Sequence, residues 1–484
     1  MSPEPATLTT ARALDPAGGL RLLLDPYLCF GPGSEPLAPT LCALARRCAA
    51  LGLRLAVENR AWEEAGSDPD VRRRGVALWR FEPLERLPDL PLPSVRDLAT
   101  RFIPARSELD QTDLRLLGAL HTRVAGLLIA EDGRLHRLAD RAGFGERVLT
   151  PFDGLAWLDA LAGQPRELRV TEITPAAGLA DPVLGQMLAE DCEPFDPYLA
   201  ARLDTPGSRL LVATDGDERV ALGLLCAESK DLVLAALATA ATARGRHAIE
   251  PIVAAALATA RRLRITLRAP VPPHQDQQLM LLGELGFERQ GRDRHGREIL
   301  CHAVDDGQFR LAAAQQAWLL PLDAATHDRL MPELAGATQP ELFGPGPLPH
   351  TLGSPMRKQM LRSAAAREPA AGDALLLFHL PSPDRIRSAS LTAAARVQRV
   401  RQVAALPELL ALTAGRDVAA VTELRGLLQA GPVSVFDLQW LGRLAQPLAL
   451  AALLERGLVS ATPRTVQRIE PAAWRRLAPA LALA

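Results

Sequence analysis

Four acidic residues stand where an α/β chain can do phosphate chemistry. Asp25 closes the apolar run "LRLLL", Glu64 lies in a charged helical stretch, Asp113 opens a helix, and Asp132 follows the run "VAGLLIA" with Glu131 beside it. In parallel sheets, ligand sites form beyond the carboxyl ends of the strands. Two strand-end acids and two helix acids could converge there. Clustered carboxylates repel unless a cation neutralises them, and Mg²⁺ or Mn²⁺ takes oxygen ligands of this kind. Such an ion activates water and stabilises the charge that builds on a phosphate under attack. The plainer reading of each acid is a helix N-cap or a solvated surface charge.

The elements that would position these acids follow from periodicity. "LRLLLDPYLCF" (20–30) and "LRLAVE" (53–58) read as strands, with a helix at 38–52 between them. Residues 60–88 form a charged helical stretch. "SELDQTDLRLLGALHTR" (107–123) has helical spacing at Leu114, Leu117 and Leu120, with Ser107 as its cap. A strand, a helix, the short strand "ERVLT" and the helix "PFDGLAWLDALAG" follow. Strands alternating with helices imply a parallel sheet covered on both faces. A Gln-Pro-Arg joint near 164–166 opens an α+β pattern that runs to about residue 304, with Asp-Gly-Asp-Glu (215–218) as a hairpin turn. A third region follows, with strands at "GDALLLFHL" (372–380), "ARVQRVRQVA" (395–404) and "PVSVFDL".

The chain has 484 residues, enough for about three domains. Its 55 basic and 56 acidic residues nearly cancel, so no whole-chain nucleic-acid signal exists, although a local basic groove is allowed. All but two basic residues, Lys230 and Lys358, are arginine. Cys29, Cys42, Cys48, Cys192, Cys226 and Cys301 form no CxxC pair and no zinc spacing, which points to a reducing cytoplasm. The start lacks a signal peptide, and no apolar run approaches a membrane span, so no membrane partner is expected.

Residues 20–162 resemble a PIN domain, the fold of metal-dependent ribonucleases. The resemblance rests on "LLLDPYLCF", "LDQTDLRLLGAL", "LLIAEDGRLHRLADRAG" and "RVLTPFDGLAWL". It implies a three-layer α/β/α fold with a Mg²⁺ or Mn²⁺ site formed by Asp25, Glu64, Asp113 and Asp132. Glu63 or Asp68 could serve in place of Glu64, and Asp110 and Glu131 are auxiliaries. Pro26, Tyr27 and Ala130 stand where the family has hydrogen-bonding neighbours. Losing such support costs ~10–100-fold in metal affinity or activity.

"LVLAALATAATARGRHAIEPIVAAALATARR" (232–262) reads as strand, loop and helix. A helix N-terminus can hold a pyrophosphate. Residues 167–304 resemble the GNAT acetyltransferase fold, in which this loop grips acetyl-CoA. The loop here is Arg244, Gly245, Arg246, His247, Ala248 and Ile249. His247 and Ile249 replace small residues that let backbone amides approach phosphate, which argues against acetyl-CoA. Pro251 is placed in the first turn of the helix, where it is tolerated. His247 and His295 read as loop surface residues, and Arg261, Arg262 and Arg264 as a solvated helix face.

Residues 315–484 resemble PUA-like modules of the EVE and ASCH kind, small β-barrels with helices that bind RNA or modified bases. "HDRLMPEL", "MRKQML" and "GDALLLFHL" carry the likeness. Arg357 and Lys358 could contact a phosphate. His379 follows Phe378 where an aromatic usually gives a stacking surface.

The expected architecture is therefore multidomain α/β: a tail (1–19), a PIN-like domain (20–165), a GNAT-like α+β domain (166–306) and a PUA-like domain (315–484). The favoured activity is metal-dependent cleavage of RNA, as in toxin-like bacterial proteins with an antitoxin or other protein partner. The alternatives are acetyl transfer from acetyl-CoA, or a non-catalytic adaptor that binds RNA or a protein.

Overall fold

A computed structural model of the chain describes residues 20–29, 39–82, 84–87, 108–164, 166–191, 197–228, 230–303, 306–331, 351–352, 356–364, 368–382, 388–413 and 420–483. These fall into two compact units. The first takes residues up to Gln164 together with the helix 406–413, and the second takes nearly everything from Pro165 onward. The GNAT-like and PUA-like regions therefore form one unit. The helix at 406–413, expected in the third domain, groups with the first unit instead.

The first unit holds a five-stranded parallel sheet: β1 (Arg21–Leu24), β2 (Arg54–Val57), β3 (Glu85–Arg86), β4 (Leu127–Ile129) and β5 (Val148–Leu149), ordered β3-β2-β1-β4-β5. Its helices are α1 (Pro39–Leu51), α2 (Asn59–Ser67), α3 (Val71–Phe81), α4 (Glu108–His121), α5 (Gly133–Arg141) and α6 (Pro151–Leu161). Side chains alternate across a strand. Leu23, Ala56 and Leu128 accordingly join Leu116, Leu120, Leu135 and Leu138 in one core, which places α4 and α5 on one face. On the opposite face Gly154 lets α6 approach Ile129 and Leu44; a Cβ there would lie 2.8 Å from Ile129 Cδ1. The helical stretch expected over 60–88 is broken. Asp68 ends α2, and the chain closes on β3, too short to show a strand period.

The second unit opens with β6 (Glu167–Ile173), the helices α7 (Pro175–Ala180), α8 (Pro182–Asp191) and α9 (Pro197–Leu203), and β7 (Arg209–Asp215), β8 (Glu218–Glu228) and β9 (Asp231–Thr239). Gly216, at φ +59°, makes the hairpin between β7 and β8. Then come α10 (Arg246–Leu263), β10 (Thr266–Val271), α11 (Asp276–Glu284), β11 (Glu288–Arg292) and β12 (Glu298–His302). With β14 (Thr351–Leu352) the strands form one sheet, ordered β11-β12-β10-β9-β8-β7-β6-β14. α10 starts at Arg246, so Pro251 lies in its second turn and not its first. Proline there forgoes the bond to the His247 carbonyl.

The chain continues through α12 (Asp306–Ala313), β13 (Ala317–Leu322), α13 (Ala324–Leu330), β15 (Arg357–Ser363), β16 (Ala374–His379), β17 (Ser390–Val403), β18 (Val433–Ala449) and β19 (Gln467–Arg468). These strands form a six-stranded sheet, ordered β15-β18-β17-β16-β13-β19. Leu375 and Leu377 face one core, while Leu376 and Phe378 face another. Three register shifts interrupt the β17–β18 pairing, and such bulges bend a sheet. β15 and β19 stand at the two ends of this strand order among the described residues. No helix among the described residues is long and apolar enough to cross a membrane.

Candidate functional site

The order β3-β2-β1-β4-β5 reverses direction between β1 and β4, so the crevice beyond their carboxyl ends is the switch point of the sheet. Asp25 follows β1 there, and its amide donates to the Ile129 carbonyl at 2.9 Å. Glu131 and Asp132 leave β4 at the same place. Each strand-end aspartate also caps the element that follows. Asp25 Oδ1 accepts from the Tyr27 amide at 3.1 Å, and Asp132 Oδ1 accepts from the Arg134 amide at 2.8 Å. The plain N-cap reading therefore holds for both.

Asp25 and Asp113 are buried, at 3% and 7% exposure, while Asp132 and Glu131 face solvent. Burial pushes the Asp25 carboxyl up to about 6, and the nearby Asp132 and Glu131 charges add to that rise against the Tyr27 amide. Burial likewise pushes Asp113 up to about 6, with Asp132 and Asp25 adding to it. Burial is the larger cause for both, and the neighbouring carboxylate charges add to it. The Arg134 guanidinium stands 3.8 Å from Asp113 and offsets part of it.

Tyr27 reports on the whole set. Its hydroxyl is pushed up by burial and then by Asp25, Asp113, Glu64 and Asp132 together. Among the described residues, no three of these acids bring ligand atoms within 4.8 Å of one another. Glu64 is the outlying member, half exposed and paired with Arg60 at 3.0 Å. Glu63 turns to Asn59, 3.1 Å away. Asp68 closes α2 and accepts from the Asp70 amide. Asp110 lies in α4 with its side chain undescribed, and Ser107 lies outside the described residues.

Sequence reading missed Glu58 here, and the exposure of Tyr27. Glu58 ends β2 and is buried, but it is committed: it accepts from the Arg60 amide at 3.1 Å and from Arg115 Nε at 2.6 Å. Its place directly after an apolar strand was the available signal. Tyr27 carries an aromatic ring that is 59% exposed beside the acids.

In the second unit, Gly245 caps α10 without a side-chain hydrogen bond, and Arg244 and His247 lie at its start. Ala248 and Ile249 are buried, so the Ile249 side chain packs inward. Arg246 is held by Glu250 at 3.2 Å and Glu284 at 3.0 Å. β9 and β10 pair in parallel over Asp231–Val233 and Thr266–Arg268, and then each follows a different neighbour. Gln278 reaches across and donates to the Leu237 carbonyl at 2.7 Å.

Phosphate contact by Lys358 does not hold. Lys358 is 1% exposed, donates to the Leu330 carbonyl and lies 5.4 Å over the Trp440 ring. Strand alternation turned it inward. Arg357 binds Glu284 at 3.0 Å, a carboxylate that already neutralises it. The solvated face expected of three arginines loses Arg261, whose guanidinium donates to the Leu441 carbonyl at 3.4 Å; Arg262 and Arg264 are exposed. His295 sits exposed in the β11–β12 turn, where its amide donates to Asp293. An open groove of about 560 Å³ is lined by β10, β11 and β12, past Arg268, Gln290 and Cys301, with Asp231 at the start of β9.

Solved structures similar to parts of this chain include an ASCH protein and acetyltransferases. ASCH from Zymomonas mobilis is 9% identical, covering 35% of this chain and 98% of its own, at a TM-score of 0.26. An IAA acetyltransferase from Bacillus cereus is 16% identical, covering 28% of this chain and 96% of its own, at a TM-score of 0.24. A GNAT family acetyltransferase from Elizabethkingia anophelis with acetyl-CoA bound is 12% identical, covering 28% and 97%, also at 0.24. No protein-family model and no curated protein matches the chain. At TM-scores this low, the architecture of each part rests on its own strand order.

Proposed function

We propose that the first unit is a divalent-cation site for RNA phosphodiester hydrolysis. What supports the reading is the placement of Asp25 after β1 and Asp132 after β4 at the switch point of the sheet; burial first, and Asp132 after it, raise Asp25 and Asp113 to about 6. A hard divalent cation would offset these carboxylates, and the all-oxygen donors at this crevice suit Mg²⁺ or Mn²⁺. Asp25, Asp113 and Asp132 would hold it, with Glu64 at the rim. Bound there, the cation would supply an activated water and stabilise developing phosphate charge. Tyr27 offers a ring on which a base can stack beside the scissile phosphate. Incubating the protein with structured RNAs plus Mn²⁺, Mg²⁺ or chelator tests the reading. Metal-dependent cleavage that disappears in Asp25→Asn/Asp132→Asn is expected; cleavage that persists in that variant removes it.

Acetyl transfer is the second reading, and the solved structures named above lie on its side. The divergence of β9 from β10 and the uncapped start of α10 favour it. Glu250, which engages Arg246 at the start of α10, and Gln278, which bridges the divergence to the Leu237 carbonyl, oppose it, because they occupy the cation and the gap a pyrophosphate would need. Calorimetric titration with acetyl-CoA decides: saturable heat establishes the cofactor, and none at high concentration ends the reading. RNA binding without turnover under any metal would leave the adaptor.

A further inference from the structure

We propose that the six-stranded sheet of the second unit carries a zinc-type metal site formed by His327, Asp328 and His379, distinct from the carboxylate cluster. Among the described residues, these three bring one ligand atom each within 4.8 Å of one another. Topology accounts for the meeting. Leu322 at the end of β13 pairs with His379 at the end of β16, and α13 starts immediately beyond, capped by Asp323. Its second turn then sets His327 over the strand end. The two imidazoles meet edge to face, with centroids 4.4 Å apart at 81°.

Both rings are buried, His327 at 4% and His379 at 3% exposure. His379 Nδ1 is buried with no hydrogen-bond partner, which is costly for a polar atom unless something ligates it. His327 is oriented from behind. The Thr392 hydroxyl donates to the Leu377 carbonyl at 3.3 Å, so it accepts from His327 Nε2–H at 2.9 Å. A hydroxyl has one proton to give, so this chain fixes the tautomer and leaves the lone pair on Nδ1. Metal-binding histidines are commonly held this way.

That Nδ1 lies 3.7 Å from Asp328 Oδ1. Tetrahedral ligands at zinc distances stand roughly 3.3 Å apart, so little closure is needed. The Asp328 side chain is 24% exposed, which gives an ion a way in. Two imidazoles and one carboxylate suit Zn²⁺ and its d-block neighbours rather than Mg²⁺, and three protein ligands leave a position for water.

The test uses the full chain bearing Asp25→Asn/Asp132→Asn, so that the carboxylate cluster does not contribute. Zn²⁺ is titrated against a competing chelator in excess Mg²⁺, and X-ray absorption reads the ligand shell. One Zn²⁺ per chain in a nitrogen and oxygen shell with two imidazoles is expected. Asp328→Asn and His379→Gln should each weaken binding by about tenfold or more, and Thr392→Val should also weaken it. No uptake, a sulfur shell, or unchanged affinity in Asp328→Asn overturns the site. Asp328 is partly exposed, so its variant decides even if His379→Gln fails to fold.

Discussion

Asp25 and Asp113 keep their protons to about pH 6 in the folded chain, whereas an unfolded aspartate releases its proton near 3.8. The native state therefore binds more protons between those values, and stability falls as pH rises through that window. The two titrate as a coupled set with Asp132, so their joint effect is about 2–4 kcal/mol rather than a sum of independent groups. Metal-free protein should melt at a higher temperature near pH ~5 than near pH ~7.5 from this source, and Asp113→Asn should flatten the difference. Adding Mn²⁺ should raise the melting temperature more at the higher pH, where the carboxylates are ionised. Calorimetry at both pH values checks the pair of outcomes, and an equal Mn²⁺ effect at both would detach the carboxylates from metal binding.

Helix starts and close approaches set the elements around this crevice. Thr150 caps α6: its hydroxyl accepts from the Asp153 amide at 3.1 Å and donates to Asp153 Oδ2 at 2.9 Å. Both residues are buried, so Thr150→Ala removes one donor to the Asp153 carboxylate and the acceptor of its amide. A loss of about 1–2 kcal/mol, read as a shift in the urea midpoint, is expected. Gly154→Ala should add strain of ~1–3 kcal/mol, because its new methyl meets Ile129 on the strand that leads to Glu131 and Asp132. Arg147 fixes the approach to β4 by donating to the Leu120, Ala125 and Gly126 carbonyls. These roles were half legible. Thr150-Pro151 announces a helix start, but nothing local announces which carbonyls Arg147 will reach.

Across the second unit, Glu250 ties one sheet to the other. It is fully buried, accepts from the Met356 and Arg357 amides at 2.9 and 3.2 Å, and binds Arg246. Glu284 joins Arg246 and Arg357 on the same seam. Removing a buried carboxylate leaves its donors without an acceptor. Glu250→Ala should cost about 3–5 kcal/mol and separate the unfolding of the two sheets, while Glu250→Gln, which still accepts from both amides, should cost much less. Differential scanning calorimetry distinguishes one transition from two.

By itself, the sequence determined the strand–helix alternation, the hairpin at Gly216 and the acids that end β1 and β4, because period and local turn chemistry act within a few residues. The N-caps of Asp25 and Asp132 were legible for the same reason. Only the tertiary structure decided that Lys358 turns inward, that Arg261 meets a carbonyl, and that His327 meets His379. These depend on strand register and on which helix covers which face. Distant segments fix those choices through packing, so no local pattern records them.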